Sequence, residues 1–178
     1  IVLVVNNYGE VVGVTLGNDV NLRDFEGRSA LLLGRAKDNN GSCAVGPFIR
    51  LFDDNFTLED VRHCVLSLHI EGEDGFELNW RSSLSSISRT FEDLVSQTIS
   101  PTNSYPDGLV LFTGTMFAAK EDRDKEGSGF HHKVGDLVTI HNPKLGSLVN
   151  LVDHADRIPK WEFGAGKLIR NIAERGLI

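Results

Sequence analysis

With 178 residues, of which 40% are hydrophobic and 24% are charged, the chain has the material for one domain with a sizeable core and is unlike a disordered, collagen-like or low-complexity protein. The formal net charge of −7 and the scattered Lys and Arg residues argue against nucleic acid as a partner, and no apolar run is long enough to cross a membrane. Cys43 and Cys64 lack CxxC spacing and are too few for a disulfide framework, so we expect reduced thiols and a cytoplasmic location.

Most of the predicted elements are short β-strands. Alternating or β-branched runs separated by Gly, Asn and Asp predict strands in residues 1–5, 11–16, 45–49, 64–71, 76–81, 109–113, 137–141 and 146–151. Asn6-Asn7-Tyr8-Gly9-Glu10 and Glu73-Asp74-Gly75 are the turn sequences of two hairpins. Residues 17–28 are polar, bounded by glycines and follow the first hairpin, a position that often carries functional side chains.

Two segments predict helices. Thr90-Phe91-Glu92-Asp93 has the sequence of a helix start, with an N-cap Thr and an acid three positions later, and this helix should run to about Ile99. In the tail, residues 163–177 carry apolar side chains at helical spacing and predict an amphipathic helix that ends at Gly176. Residues 120–133 are charged and contain glycine, and we predict a mobile loop there. The chain is therefore expected to be a β-dominated α+β domain with a few short helices.

The strongest candidate for a functional site is the polar segment after the first hairpin. If this segment is helical, Asp19, Arg23 and Glu26 lie at i, i+4 and i+7 and share one face. A carboxylate, a guanidinium and a second carboxylate would then point the same way at the end of a strand. From the residues alone, the simpler interpretation is an exposed helix face with an i,i+4 ion pair, which contributes a few tenths of a kcal/mol.

Two further segments have side chains or backbone suited to chemistry. Lys37 could stabilise an enolate or transfer a proton beside a metal-bound carboxylate, although its spacing alone describes a solvated loop lysine. The residues Phe112-Thr113-Gly114-Thr115 follow a strand and could hold a carboxylate on their backbone N–H groups, although a plain turn explains them equally well. His131 and His132 are a poor metal site, because neighbours on an extended chain point to opposite sides. The motifs of zincin proteases, serine α/β-hydrolases and nucleotide-binding enzymes are absent from the sequence.

Four motifs occur in an order that resembles one known family. They are GVTLGNDVNLRD at residues 13–24, Lys37 followed by Gly46-Pro47-Phe48-Ile49, Phe112-Thr113-Gly114-Thr115, and Gly135-Asp136-Leu137-Val138 followed by residues 146–150. Together they cover nearly the whole chain, which resembles the C-terminal catalytic domain of the fumarylacetoacetate hydrolase family. Residues 24–33 and 163–171 are more similar to one branch of that family, the bacterial 2-keto-3-deoxy sugar acid dehydratases.

The resemblance implies a mixed β-sandwich roll that forms a homodimer and holds Mg²⁺, Mn²⁺ or Ca²⁺ through three carboxylates. Asp19 matches the third carboxylate, and the other two, a Glu-x-Glu pair, are expected just before residue 1. Because the sequence opens directly into a strand at Ile1, we expect residues 1–178 to be a single catalytic domain from the C-terminal part of a longer chain. Asn21 departs from the Ser or Thr that is usual at its position in the family.

The resemblance also implies a small 2-oxo acid as the ligand. The residues implied for substrate binding are Arg23, Gly114 and Thr115, and those implied for catalysis are Lys37 and Glu26. The expected reaction is dehydration of a 2-keto-3-deoxy sugar acid, for example of 2-keto-3-deoxypentonate to 2-oxoglutarate semialdehyde. The alternatives are hydrolysis of a C–C bond in an acylpyruvate or a fumarylacetoacetate-like β-diketo acid, and a non-catalytic family member that binds a metabolite.

Overall fold

The computed structural model describes residues 1–116 and 119–178, and its strands form two four-stranded antiparallel sheets. The strands are β1 (Val2–Val5), β2 (Val11–Asp19), β3 (Cys43–Leu51), β4 (Val65–Glu71), β5 (Glu77–Ser83), β6 (Leu109–Phe112), β7 (Leu137–Asn142) and β8 (Gly146–Leu151). The strand order is β3-β2-β1-β6 in the first sheet and β5-β4-β7-β8 in the second. The predicted β-dominated α+β class is confirmed, and every predicted strand is present with ends shifted by a few residues.

The helices are short and lie between or after the strands. They are α1 (Arg23–Glu26), α2 (Leu58–Arg62), α3 (Phe91–Thr98) and α4 (Ala165–Glu174), with 3-10 turns at Ala30–Leu32 and Leu84–Ser86. The start of α3 is as predicted, because the Thr90 hydroxyl accepts the Asp93 N–H at 3.2 Å. Among the described residues, no helix is long and apolar enough to span a membrane.

The sequence interpretation missed α2, although its start carries a local signal. The Thr57 hydroxyl accepts the Asp60 N–H, and the Asp60 carboxylate accepts the Thr57 N–H at 2.9 Å. This reciprocal pair is a capping box, whose sequence form is a Ser or Thr followed three positions later by an acidic or amide residue. The pattern Thr57-x-x-Asp60 is therefore the sequence signal of this helix start.

The main core lies between the two sheets and beneath α2 and α3. Side chains of the first sheet that point inward pack with residues of the second sheet and of these two helices. The fully buried members of this core are Leu3, Leu16, Val14, Val61, Phe91 and Leu145. A second, smaller core of Ile70, Leu78 and Val138 lies under the 119–133 loop, which is defined here as residues 119–133. The two cores leave a space between the first sheet, the second sheet and this loop.

Candidate functional site

A cavity of about 520 Å³ lies where the end of β2 faces the second sheet. Its walls are apolar where β4 and β7 contribute Leu, Ile and Val side chains, β5 contributes Trp80, Arg81 and Ser82, and the rim is polar. All the side chains and backbone segments that the sequence indicated line this cavity: Asp19, Arg23, Glu26, Lys37, Gly114 and Thr115. An apolar pocket with a few convergent polar groups is the usual form of a small-molecule site.

The expected helical arrangement of Asp19, Arg23 and Glu26 is wrong, although the three residues do meet. Asp19 is the last residue of β2, and the helix α1 spans only Arg23–Glu26. The backbone stays non-helical between them because the N–H groups of Val20 and Leu22 donate to carbonyls of Ser42 and Ala36, at 2.9 and 3.0 Å. Asp19 therefore reaches the cavity from the end of a strand, and Arg23 and Glu26 reach it from a short helix.

Asp19 and Lys37 form an ion pair at the rim of the cavity. Lys37 Nζ donates to Asp19 Oδ2 at 2.6 Å, and the two side chains are 40% and 41% exposed. An ion pair this exposed contributes at most about 1 kcal/mol to stability. The Ser42 hydroxyl donates to the Lys37 carbonyl at 2.5 Å and fixes the turn that carries the lysine. The pair therefore orients two groups of opposite charge toward the same space.

Glu26 is held by Asn21, the residue that departs from the family pattern. Asn21 Nδ2 donates to the Glu26 carboxylate, and both residues line the cavity. Asn21 Oδ1 is buried and accepts no hydrogen bond within the part of the chain that the structure describes. Leaving such an acceptor unsatisfied costs about 1–3 kcal/mol. A donor or a cation from outside the described residues would satisfy it.

Arg23 connects the polar rim to the 119–133 loop. Its Nη1 donates to the carbonyls of Ala119 and Phe130, both at 3.3 Å. A guanidinium has five N–H donors, so these two bonds leave donors for a ligand while they fix the side chain. Gly114 has a φ of 76°, a conformation that favours glycine. Gly114 and Thr115 also line the cavity.

Two cavity residues were missed by the sequence interpretation, Trp80 and His132. Trp80 lies two positions after the buried Leu78 on β5, so strand alternation predicts that both side chains lie on one face. Its indole N–H donates to Glu121 at 2.6 Å. No sequence pattern indicates His132, because the loop that carries it has no periodicity.

The 119–133 loop has no helix or strand in its described residues, as predicted, but it is anchored by a buried guanidinium. Arg123 is 2% exposed and donates to both carboxylate oxygens of Asp136, at 2.6 and 2.8 Å. It also donates to Asp74 at 2.9 Å. Hydrogen bonds from Arg123 and Lys133 hold the pKa of Asp74 well below its usual range. The loop therefore lies along one side of the cavity, and its mobility stays a prediction.

A divalent metal ion would need ligands in addition to those that the described residues supply. They contain no group of three or more His, Cys, Asp and Glu side chains that could hold an ion. The Asp19 carboxylate is a hard oxygen donor of the kind that Mg²⁺ and Ca²⁺ prefer. In the register of β1 with β2, Val2 faces Thr15, so a strand continued three residues ahead of Ile1 would end opposite Asp19. Carboxylates in such a continuation would be suitably placed to complete the set.

The described residues form two antiparallel sheets with a cavity between them, and the cavity has a polar rim. The model of the family described as "Fumarylacetoacetate (FAA) hydrolase C-terminal" matches residues 5–153, and the chain belongs to this family. The predicted membership of this family is thereby confirmed.

Several relatives share most of this chain. A probable 2-keto-3-deoxyxylonate dehydratase of Haloferax volcanii is 31% identical over 144 residues, which are 81% of this chain and 46% of the relative. A 2-dehydro-3-deoxy-D-arabinonate dehydratase of Saccharolobus solfataricus is 26% identical over 156 residues, 88% of this chain and 49% of the relative. The chain thus spans about half the length of the curated relatives it matches.

A solved structure is similar to the same region. It is 2-keto-3-deoxy-D-arabinonate dehydratase complexed with magnesium and 2,5-dioxopentanoate, with a TM-score of 0.71 and 29% sequence identity. The match covers 84% of this chain and 50% of that one. A dehydratase with this fold therefore binds both a divalent cation and a small oxo acid.

Proposed function

We propose that the protein is a metal-dependent hydro-lyase that dehydrates a 2-keto-3-deoxy sugar acid, such as 2-keto-3-deoxypentonate, to 2-oxoglutarate semialdehyde. The observation that carries this proposal is the convergence of Asp19, Lys37, Arg23 and Glu26 on one cavity in a chain whose relatives are named dehydratases. The 2,5-dioxopentanoate in the similar structure is the same compound as this semialdehyde. A homodimer stays a prediction of the family resemblance, and a cytoplasmic location stays a prediction from the two cysteines.

The charged pair at the rim would supply the electrostatic part of the reaction. A bound divalent cation would act as a Lewis acid on the 2-oxo group of the substrate. Asp19 would hold that cation together with acids ahead of Ile1. Lys37, whose ammonium lies 2.6 Å from Asp19, would add positive charge where negative charge develops on the substrate.

The remaining rim residues would position the substrate. Arg23, fixed by two loop carbonyls, would bind one polar end with its other N–H groups, and the Gly114–Thr115 backbone would bind the carboxylate end. Glu26 would orient the C4 hydroxyl that leaves as water. The apolar walls of the cavity would exclude bulk water and so strengthen these charge interactions.

The proposal is tested with the protein at its full natural length. Incubation with Mg²⁺ and 2-keto-3-deoxypentonates should yield 2-oxoglutarate semialdehyde, and EDTA should abolish the reaction. Incubation with an acylpyruvate tests the alternative C–C hydrolase, which would release pyruvate. Absence of both products in the presence of Mg²⁺ would contradict both enzymes and leave the non-catalytic, metabolite-binding alternative.

A matched pair of variants tests the metal site. Asp19→Asn removes the anionic donor and should lower activity by roughly 100-fold or more, since even groups that only orient metal ligands contribute about 10–100-fold. Asp24→Asn changes an exposed acid of the same segment that does not line the cavity, and its activity should match the wild type. Calorimetry should find weaker Mg²⁺ binding in Asp19→Asn alone. Equal Mg²⁺ affinity in the two variants would remove Asp19 from the site.

A further inference from the structure

We propose that His132 is the proton-transfer residue of this cavity and that Asp136 orients it. The inference rests on the proposed dehydration, and it assigns to His132 the removal of the proton from substrate C3. Neither the sequence motifs nor the family resemblance indicates this residue. Its role follows from the contacts of the imidazole, from the charges around it and from the chemistry of the elimination.

The imidazole of His132 has two contacts with described residues, and His132 lines the cavity. Its Nδ1 lies 3.4 Å from Asp136 Oδ2, and its side chain is 28% exposed. The rings of His132 and Phe130 form a T-shaped pair, with centroids 4.9 Å apart. Nε2 makes no hydrogen bond to any residue that the structure describes, and it is not among the buried unpaired atoms. The ring nitrogen that a substrate could reach is therefore Nε2.

The hydrogen bonds to Asp136 keep it ionised, and the carboxylate in turn selects the tautomer of the His132 imidazole. Its side chain is 1% exposed, and it accepts two hydrogen bonds from Arg123 and one from the Lys133 N–H at 2.9 Å. Burial raises the pKa of Asp136, but these donors outweigh burial and hold the pKa below its usual range. An anionic oxygen facing Nδ1 favours the tautomer with its proton on Nδ1. That tautomer leaves a lone pair on Nε2.

The charges around His132 favour the neutral ring that a base requires. Burial is the largest cause that lowers the pKa of His132, and the positive charges of Arg123 and Arg23 lower it further, while Asp136 opposes them. The other charged side chains that line the cavity are Asp19, Glu26, Lys37 and Arg81. At neutral pH the imidazole is therefore able to accept a proton. Lys37 and Glu26 already have partners, Asp19 and Asn21.

The elimination balances with His132 as the only group that changes its protonation state. Nε2 takes the C3 proton, and the electron pair of the C–H bond moves into the 2-oxo group as an enolate. The pair then forms the C3–C4 double bond as the C4–O bond breaks. The imidazolium returns its proton to the departing oxygen, so that one water leaves and His132 is neutral again. The conversion of this enone to the semialdehyde only redistributes protons, without gain or loss of atoms.

The neighbouring histidine provides a matched control. His131 does not line the cavity, its Nε2 lies 3.2 Å from Asp124 Oδ2, and its side chain is 47% exposed. In the full-length enzyme with Mg²⁺, His132→Gln should lower kcat/KM by about 100-fold or more and should remove the loss of activity that wild type undergoes on acidification. His131→Gln should retain the rate and the pH profile of wild type.

Two measurements separate proton removal from folding and from the later steps. In D₂O, wild type should exchange the C3 protons of 2-oxopentanoate, a 2-oxo acid without a C4 hydroxyl, and His132→Gln should not. NMR titration of wild type should find the pKa of His132 below the ordinary value for histidine.

The outcomes distinguish this inference from the proposed function. If wild type forms no semialdehyde, the proposed function fails. In a second outcome, wild type is active while His132→Gln has the wild-type rate, the wild-type loss of activity in acid and the wild-type exchange of C3 protons. That result overturns the role of His132 and leaves the proposed function standing. If His132→Gln does not fold, the NMR titration decides, and a His132 that is protonated at neutral pH overturns the inference.

Discussion

Gly17 allows the first sheet to pack tightly next to the candidate site. A Cβ atom at this position would lie 2.3 Å from Val2 Cγ2 and 2.5 Å from Phe112 Cε1. Both distances are far below van der Waals contact, and both neighbours belong to strands of the same sheet. Gly17 and Phe112 also line the cavity. The wall of the cavity therefore has its shape because residue 17 lacks a side chain.

Replacement of this glycine should destabilise the protein. We expect Gly17→Ala to lower the free energy of unfolding by about 1–3 kcal/mol, the usual cost of overpacking a well-packed site. Gly34→Ala is the control, because a Cβ there meets nothing within 4 Å, and its effect should stay within about 0.5 kcal/mol. Urea unfolding of both variants measures the difference. Equal stabilities of the two variants would contradict the assigned packing role of Gly17.

The meeting of Asp19 with Lys37 illustrates how far residues can be predicted from the sequence. The motif resemblance indicated both residues, and the structure brings them to 2.6 Å. Local periodicity could not predict this contact, since a strand end and an irregular turn share no repeat. The helix expected from the i, i+4, i+7 spacing is likewise absent, because its formation depends on where the N–H groups of Val20 and Leu22 find acceptors. Those acceptors lie in a segment that is remote in sequence.

At the scale of elements, the 119–133 loop depends on one buried guanidinium. Arg123 joins the loop to the β4–β5 turn through Asp74 and to the start of β7 through Asp136. Gly72 makes room for this contact, since a Cβ there would lie 2.4 Å from Arg123 Nη2. Alternating residues in the sequence predict the strands around the loop. The contact of Arg123 with Asp74 could not be predicted in this way, because the two residues are 49 positions apart and no local pattern links them.

Removal of the anchor should loosen the loop. We expect Arg123→Met to cost about 3–5 kcal/mol of stability, because it leaves the buried Asp136 carboxylate without its cation. Arg89→Met is the control, since Arg89 pairs with Asp93 in an exposed ion pair at 2.5 Å that contributes at most about 1 kcal/mol. Urea unfolding gives the free energies, and limited proteolysis tests whether cleavage moves to residues 119–133. Similar losses in both variants would mean that the buried network does not anchor the loop.

At the scale of the whole molecule, the two sheets enclose the site and are tied across it. Asn18 Nδ2 at the end of β2 donates to Asn150 Oδ1 of β8 at 3.1 Å, and the main core lies between the same sheets. The strands and the fold class follow from the sequence pattern. Their arrangement into these two sheets depends on pairings such as β1 with β6, which are far apart along the chain. The family resemblance predicted this arrangement where residue patterns did not.

The acids that join distant parts of the molecule should set its stability in acid. A hydrogen bond from Lys144 lowers the pKa of Asp60, one from Arg123 lowers the pKa of Asp74, and for Asp136 the same guanidinium outweighs the opposing effect of burial. The folded protein therefore keeps these carboxylates ionised at a pH where the unfolded chain, with Asp pKa values of about 3.9, already binds protons. Their contribution is complete above about pH 5 and is lost as the pH falls through the lower folded-state values.

We therefore expect the melting temperature to fall steeply below about pH 4. A smaller loss in the same direction should begin below about pH 6.5, because the lowered pKa of the half-buried His132 lets the unfolded chain bind a proton first. Asp60→Asn should lower the melting temperature at pH 7 and make its fall in acid shallower, since the ion pair with Lys144 is gone at every pH. Asp54→Asn, an exposed acid with no ion pair among the described residues, should keep the wild-type profile. Differential scanning calorimetry from pH 3 to pH 8 would contradict this account if the Asp60 and Asp54 variants gave parallel curves.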